Sequence, residues 1–277
     1  MIFAGGTGHR DVRQNAAVTA PAARVRRIVV PYHHAEPLPK LAEVFAADDA
    51  VVVSKGPAGA MVVRLYDQVA ARVAAGDAPA VVASGDCTTS LATVAGLQRR
   101  GIAPGVIWLD AHGDFHTPHT TRSGYFGGMA LAMLVGRAGA SFAESIGLQA
   151  VAEDMCVLAG ARDLDPAERD ALDISAVRRI DDIAGLAHAA LPPPPWYVHL
   201  DVDVIDPAEL PPLRFPAPGG PSANAVAAVL RALAARGTIA ALGLACTLTP
   251  KAFEQTPALA NIAPLVDAAF EPSAHSA

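Results

Sequence analysis

Three acidic clusters hold the residues of this chain best suited to chemistry: Asp86-Cys87, then Asp110-Ala111-His112-Gly113-Asp114, then Asp201-Val202-Asp203 with Asp206-Pro207 beyond it. Each follows a hydrophobic run that reads as a buried strand, namely Ala80 to Ala83, Val106 to Leu109 and Trp196 to Leu200. The carboxyl ends of strands in an open parallel sheet lie along one edge, so clusters far apart in sequence converge there on a common ligand. Carboxylate oxygens together with imidazole nitrogen suit a divalent cation such as Mn2+, whereas a zinc-only site would show more thiolates or histidines. In extended backbone Asp110, His112 and Asp114 alternate and point to one side, and Asp201 and Asp203 repeat the device. A carboxylate between the two sets can bridge two metals, and two such ions can share and activate one water. A single Asp-x-Asp is equally a loop cap or a solvated turn. Several carboxylates at successive strand ends are different, because without cations they would repel one another strongly.

The elements that must position these clusters alternate along the chain. Ala58 to Ala75 has helical periodicity and leads into the strand before Cys87; Thr88 to Arg99 reads as the helix after it, and Gly128 to Arg137 as the helix after the second cluster. Repeated βα units of this kind favour right-handed crossovers and one parallel sheet. Pro192 to Pro195 form a stiff surface connector. Leu210 to Pro221, with five prolines and two glycines, is expected to be a loop beside the site, shaping its mouth or a subunit contact. No linker divides the 277 residues, so the expectation is a tail, 1–26, followed by one domain, 27–277. The tail contains a glycine turn, Met1 to Gly8, but the third glycine of a nucleotide-binding fingerprint would fall at Asp11.

Composition narrows the class. A chain that is 52% hydrophobic and only 17% charged suits helices on both faces of a buried sheet. No uninterrupted apolar stretch of about 18 residues exists, so no membrane span is expected, and a formal charge of -6 offers nucleic acid no attraction. Three cysteines without Cys-x-x-Cys spacing suggest neither a disulfide framework nor a thiolate zinc cluster, and a reducing cytoplasm is the expected location.

The second cluster, with Thr117-Pro118 and Ser123-Gly124 behind it, and the run Leu200-Asp201-Val202-Asp203-Val204-Ile205-Asp206-Pro207 resemble the ureohydrolase superfamily of arginases and agmatinases, from about Ile28 to about Pro250. The resemblance implies a three-layer α/β/α fold around a central parallel sheet, hydrolysis of guanidino C–N bonds, and two Mn2+ per subunit. Position by position it implies that Cys87, Asp110, Asp114 and Asp201 hold the first metal, and that Asp110 and Asp201 bridge to a second completed by His112 and Asp203. It makes Asp114 the group that orients the attacking water and returns its proton to the leaving nitrogen. It places His116, Ser123 and Tyr125 at the substrate's α-carboxylate, Tyr125 standing where asparagine is usual. In the segment Ala161 to Glu168 it makes Asp165, with Asp163 beside it, the receiver of a substrate α-ammonium, so the expected partner is a small amino acid. The residues alone allow a second reading, a helix starting at Pro166 and capped by Asp165 with Glu168 three positions on, and both can hold together. Relatives commonly form trimers or hexamers, so a homo-oligomer is implied as well.

Three departures from the family pattern shape the expected substrate. Residue 87 is normally histidine; a Cys87 thiolate is softer and pairs less naturally with Mn2+, so the first metal is expected to bind loosely or with altered preference. The other reading of Cys87 is a small buried residue beside an incomplete site. The usual proton-shuttling histidine falls at Gly127, leaving His116 or His119 as substitutes. The glutamate that pairs with a guanidinium falls at Thr247, so a fully cationic guanidinium loses its partner. The expected substrate is therefore an α-amino acid with a less basic distal group, N-omega-hydroxy-L-arginine, hydrolysed to ornithine and hydroxyurea. This pattern is similar to that of hydroxyarginine-cleaving family members that serve antibiotic biosynthesis. The rivals are an ordinary arginase, another guanidino-acid hydrolase or a deacetylase-like amidohydrolase, and a catalytically inactive ligand-binding relative. The last must account for retained carboxylates that are costly to bury unpaired.

Overall fold

The structure, a computed structural model, describes residues 25–45, 48–210, 212–249, 251–252 and 261–270. The expected tail lies outside these residues apart from Val25 and Arg26, as do the glycine turn within it, Pro211 and Pro250.

Ten strands are formed by the described residues: β1 Arg26–Val30, β2 Tyr32–His33, β3 Glu36–Pro37, β4 Asp49–Ala50, β5 Ala80–Ser84, β6 Gly105–Leu109, β7 Cys156–Ala159, β8 Arg178–Ile180, β9 Trp196–Asp201 and β10 Ile239–Ala245. Eight of them build one sheet in the order β4-β1-β5-β10-β9-β6-β7-β8, with every pairing parallel; β2 and β3 make a small antiparallel ladder outside it. The strands read as continuous apolar runs because both faces are covered. Ile28, Val30, Val82, Val106, Trp108 and Tyr197 belong to the core on one face, and Val29, Val81, Ala83, Ile107, Leu109, Val198 and Leu200 to the core on the other.

The first core is closed by α2 Ala58–Ala74, α3 Thr89–Arg99, α4 Ala130–Leu134 and α5 Ala140–Ser145, the second by α1 Pro39–Val44, α7 Ala223–Arg236 and α8 Ala263–Ala268. In α2 the buried stripe Met61, Val62, Leu65, Tyr66, Val69, Ala70, Val73 repeats at three and four residues, as a helix with one face on a sheet must. These layers are the expected α/β/α arrangement. The segment expected as a helix from Gly128 to Arg137 is shorter: a 3-10 turn at Gly127–Met129 precedes α4, and Gly136, at φ +81°, stops it. In the proline run, Pro193 and Pro194 are exposed as a connector should be, but Pro192 is buried.

Register brings the clusters together. Ser84, Ala245 and Asp201 lie in one row across β5, β10 and β9, and Leu109 pairs with Leu200, which sets Asp110 beside Asp201 at the carboxyl edge of the sheet's centre.

Candidate active site

Tight turns, not extended backbone, aim the acidic residues. Asp110 Oδ1 accepts the His112 N–H at 2.7 Å and Asp201 Oδ1 accepts the Asp203 N–H at 3.0 Å. Asp114 has φ +51° and Val202–Val204 is a 3-10 turn. The alternation expected from an extended chain is thus corrected: beyond the last ladder bond the carboxylates take up the free N–H groups and bend the chain on itself. Gly113 is required at this bend, because a Cβ there would lie 2.6 Å from the carboxyl carbon of Glu168. Glu168, 4% exposed, accepts the Phe115 N–H at 2.9 Å and so ties the following helix, α6 Pro166–Asp173, to the cluster.

Not every acid of the clusters joins the site. Asp86 Oδ1 accepts from Tyr66 Oη and Thr88 Oγ1 at 2.8 and 2.7 Å and from the Thr89 N–H at 3.0 Å, while Oδ2 takes the His34 N–H at 2.8 Å. It organises the start of α3. Asp206 caps the turn at Pro207–Glu209 through the Ala208 N–H.

The remaining residues form two groups with ligand atoms within 4.8 Å of one another: Cys87, Asp110, Asp114 and His199, and Asp110, His112 and Asp203. Asp110 is common to both, so it is the carboxylate that would be shared if both groups held an ion. Asp201 adjoins the first group through Cys87, whose Sγ lies 3.0 Å from Asp201 Oδ2. His112 Nδ1 lies 3.0 Å from Asp203 Oδ2 and 3.4 Å from Asp110 Oδ1. His199 was not foreseen. It is buried in β9 with its ring stacked on Trp108 at 3.7 Å, and the only signal for it is a lone imidazole in an otherwise apolar strand, two residues before Asp201.

Crowding holds protons in this cluster. Burial drives Asp114 and Asp201 well above the carboxylate range, with Asp110 adding to the first and Asp203 to the second. Burial and Asp110 push Asp203 up to about 6. Burial, then Asp114, Asp201 and Asp110, raises the Cys87 thiol. Burial opposes a charge on His112, yet Asp110 and Asp203 push it up to about 12. Burial likewise opposes Asp110's charge, and His112 and His199 outweigh it to hold Asp110 below its ordinary value.

Divalent cations would displace those protons, and the residues fit such ions. Asp114 Oδ2 and His199 Nε2 are buried without a hydrogen-bond partner among the described residues. Buried polar atoms are almost always paired, and a cation would satisfy an orphan carboxylate oxygen and an orphan imidazole nitrogen of the same group together.

Above the cluster opens a cleft of about 410 Å³. The expected metal-ligating and substrate-binding residues all line it except Asp110, which is 1% exposed beneath. His116 Nε2 lies 3.1 Å from Asp165 Oδ2, and Asp165 Oδ1 caps α6 through the Glu168 N–H at 3.2 Å, so the capping reading is realised while the carboxylate also lines the cleft. Asp163 is exposed, with Oδ2 at 3.9 Å from His112 Nε2. Ser123 Oγ accepts the Tyr125 N–H at 3.1 Å. Phe215, from the proline-rich loop, packs on Tyr125 with ring centroids 4.8 Å apart, so that loop does border the mouth.

Two expectations about the pocket change. Thr247 lines the cleft, but its hydroxyl donates to Asp201 Oδ1 at 2.8 Å and supports a candidate ligand instead of offering itself to a substrate. His119 is exposed and lies away from the cleft lining. The volume over Gly127 is filled by Tyr125: a Cβ at 127 would come within 2.5 Å of its Cζ and Oη. Behind Tyr125 stands His33, another residue the sequence reading missed. Its Nδ1 faces the Gly85 carbonyl at 2.7 Å, which only accepts, so Nδ1 carries the proton and Nε2 turns a lone pair toward Tyr125 Oη, 3.5 Å away. Arg162, also unforeseen, donates to the carbonyls of Asp203 and Val204 at 3.0 Å, Ala217 at 3.1 Å and Pro218 at 3.2 Å.

Comparison with known proteins agrees with this geometry. A model of the Arginase family matches residues 7–263. The chain is 31% identical over 229 residues to the N(omega)-hydroxy-L-arginine amidinohydrolase of Streptomyces lavendulae, covering 82% of this chain and 79% of that one. It is 33% identical over 177 residues to an arginase of Brucella melitensis biotype 1, covering 58% of each. The crystal structure of arginase from Bacillus subtilis superposes with a TM-score of 0.76 at 20% identity, over 90% of this chain and 99% of that one. The eight-stranded parallel sheet with acids crowded at its central strand ends is thus an arginase-type α/β fold. With the family model matched along most of its length, the chain belongs to the arginase family.

Proposed function

We propose that the protein is a binuclear-metal amidinohydrolase that cleaves the guanidino-type C–N bond of an arginine-like α-amino acid, with N-omega-hydroxy-L-arginine as substrate. Water adds its oxygen to the amidino carbon, the bond to the side-chain nitrogen breaks, and that nitrogen leaves with a proton as the amine of ornithine; the other product is hydroxyurea. The observation that carries the reading is the pair of ligand groups sharing Asp110 at the floor of the cleft. Bound divalent cations, Mn2+ in this reading, would supply an activated water and offset charge building on the amidino carbon.

The chain's own residues do the rest. Asp114, which lines the floor of the cleft, is the carboxylate that would take a proton from the attacking water and return it to the leaving nitrogen. An α-ammonium and an α-carboxylate sit on one carbon, so their receivers must be neighbours, and Asp165 and His116 are 3.1 Å apart. At the distal end Thr247, its hydroxyl bonded to Asp201, presents no charge where the resemblance expects a glutamate to pair with the guanidinium. Neutral partners favour a distal group less basic than guanidine, and the similarity to the Streptomyces lavendulae hydrolase supports the same substrate. In this reading residues 27–277 are one catalytic unit acting in a reducing cytoplasm.

Product analysis of the Mn2+-loaded protein with arginine, N-omega-hydroxy-L-arginine, agmatine and an acylated amine tests the proposal. The expected result is a kcat/KM for hydroxyarginine at least about tenfold above that for arginine, roughly 1.4 kcal/mol in transition-state stabilisation. Equal or better use of arginine would overturn the substrate, and no turnover of any of the four would overturn the activity.

A further inference from the structure

We infer that His199 is a direct ligand of the first metal, standing with Cys87, Asp110 and Asp114. The site it completes has sulfur, nitrogen and oxygen donors and favours Co2+, Fe2+ or Zn2+ over Mn2+. This rests on the metal-dependent reading above and adds to it a ligand and a metal preference.

His199 is 0% exposed and its Nε2 has no hydrogen-bond partner among the described residues. A ring nitrogen of His199 and one ligand atom each from Cys87, Asp110 and Asp114 lie within 4.8 Å of one another. Asp114 Oδ2 is a second buried orphan in the same foursome. A hydrogen bond from Nε2 to Asp110 Oδ2 does not account for these atoms. The separation is 3.8 Å, beyond hydrogen-bond range, that oxygen already takes the Trp108 Nε1–H at 3.2 Å, and Asp114 Oδ2 would stay orphaned. One cation between the four residues satisfies both.

The rest of the ring is held as a ligating imidazole is. Nδ1 lies 2.8 Å from Ser90 Oγ, the outer hydrogen bond that fixes tautomer and orientation, and the Trp108 face at 3.7 Å prevents the ring from turning away. A thiolate and an imidazole on the same ion shift preference from Mn2+ toward softer cations.

The test uses Co2+, whose thiolate charge-transfer absorption reports occupancy of the Cys87 site. X-ray absorption is recorded on wild type and on His112→Asn, which leaves His199 as the one imidazole of the two ligand groups formed by the described residues. The expected result in His112→Asn is imidazole scattering alongside the thiolate band; His199→Gln added to it should abolish the scattering and weaken binding at that site by about tenfold or more. A thiolate band without imidazole scattering in His112→Asn overturns the proposal even though metal binds, and that readout needs no substitution of His199. Equal Mn2+ and Co2+ affinity at the Cys87 site overturns the preference. A wild-type protein that binds neither ion at any concentration up to millimolar removes the metal-dependent function itself.

Discussion

Tyr125 occupies the space that any side chain at position 127 would need, so the two residues work as one unit: the glycine is the vacancy and the phenol is what fills it. With its hydroxyl hydrogen directed to the His33 lone pair, the phenolic oxygen presents acceptor capacity to the cleft without a charge. Gly127→Ala should displace the ring. A Cβ within 2.5 Å of Cζ and Oη is overpacking of the kind that costs about 1 to 3 kcal/mol. The expected outcome is a lower melting temperature together with a fall of about tenfold in kcat/KM for hydroxyarginine; kinetics unchanged beside a lowered melting temperature would remove Tyr125 from substrate binding. His33 enters this arrangement from β2, more than ninety positions away, and no local pattern in the chain announces it.

At the scale of elements, α6 joins the cleft to the cluster. Asp165 caps the helix and faces His116, while Glu168 one turn later reaches back to Phe115. Two substitutions separate Asp165's duties. Asp165→Asn keeps a capping oxygen and loses the charge, so KM for an amino-acid substrate should rise about tenfold with the melting temperature unchanged. Asp165→Ala should also lose about 1 kcal/mol of stability with the cap. A KM that moves only with Ala would make the residue a cap alone. The strands and their acidic ends were legible in the sequence because parallel strands buried on both faces leave unbroken apolar runs and the acids follow them directly. The turns were not legible: spacing does not disclose that Asp114 takes a positive φ, nor that Asp86 is consumed by α3. His199 and Arg162 were hidden for another reason, since their partners come from other strands and loops and exist only once the sheet has assembled.

For the whole molecule, the crowded cluster makes stability depend on pH. His112, pushed up to about 12, and Asp114, Asp201 and Cys87, all raised, keep protons in the folded state that the unfolded chain gives up sooner. Groups shifted this way stabilise the fold below their unfolded values and lose that contribution as pH rises through the folded ones. His33 and His199, lowered by burial, act in the opposite sense, but only below the ordinary imidazole value of 6.5. Above about pH 6.5 the signs agree. Chelated protein should therefore melt at progressively lower temperature from pH 6.5 to about 9, while divalent ions, which bind better as protons leave, should close the gap over the same range. Melting curves with and without Mn2+ check this, and parallel profiles would show that no proton is displaced on binding.

Arg162 bears on how such a molecule admits its substrate. One guanidinium grips carbonyls on the strip that carries Asp203 and on the stretch around Ala217 and Pro218, so the lip of the entrance bearing Phe215 and the catalytic floor are stitched into a single piece. Widening the entrance on that side would pull the floor out of shape. Bulkier guests must therefore be accommodated at parts of the rim that Arg162 does not hold, such as the exposed stretch at Ser123 and Gly124.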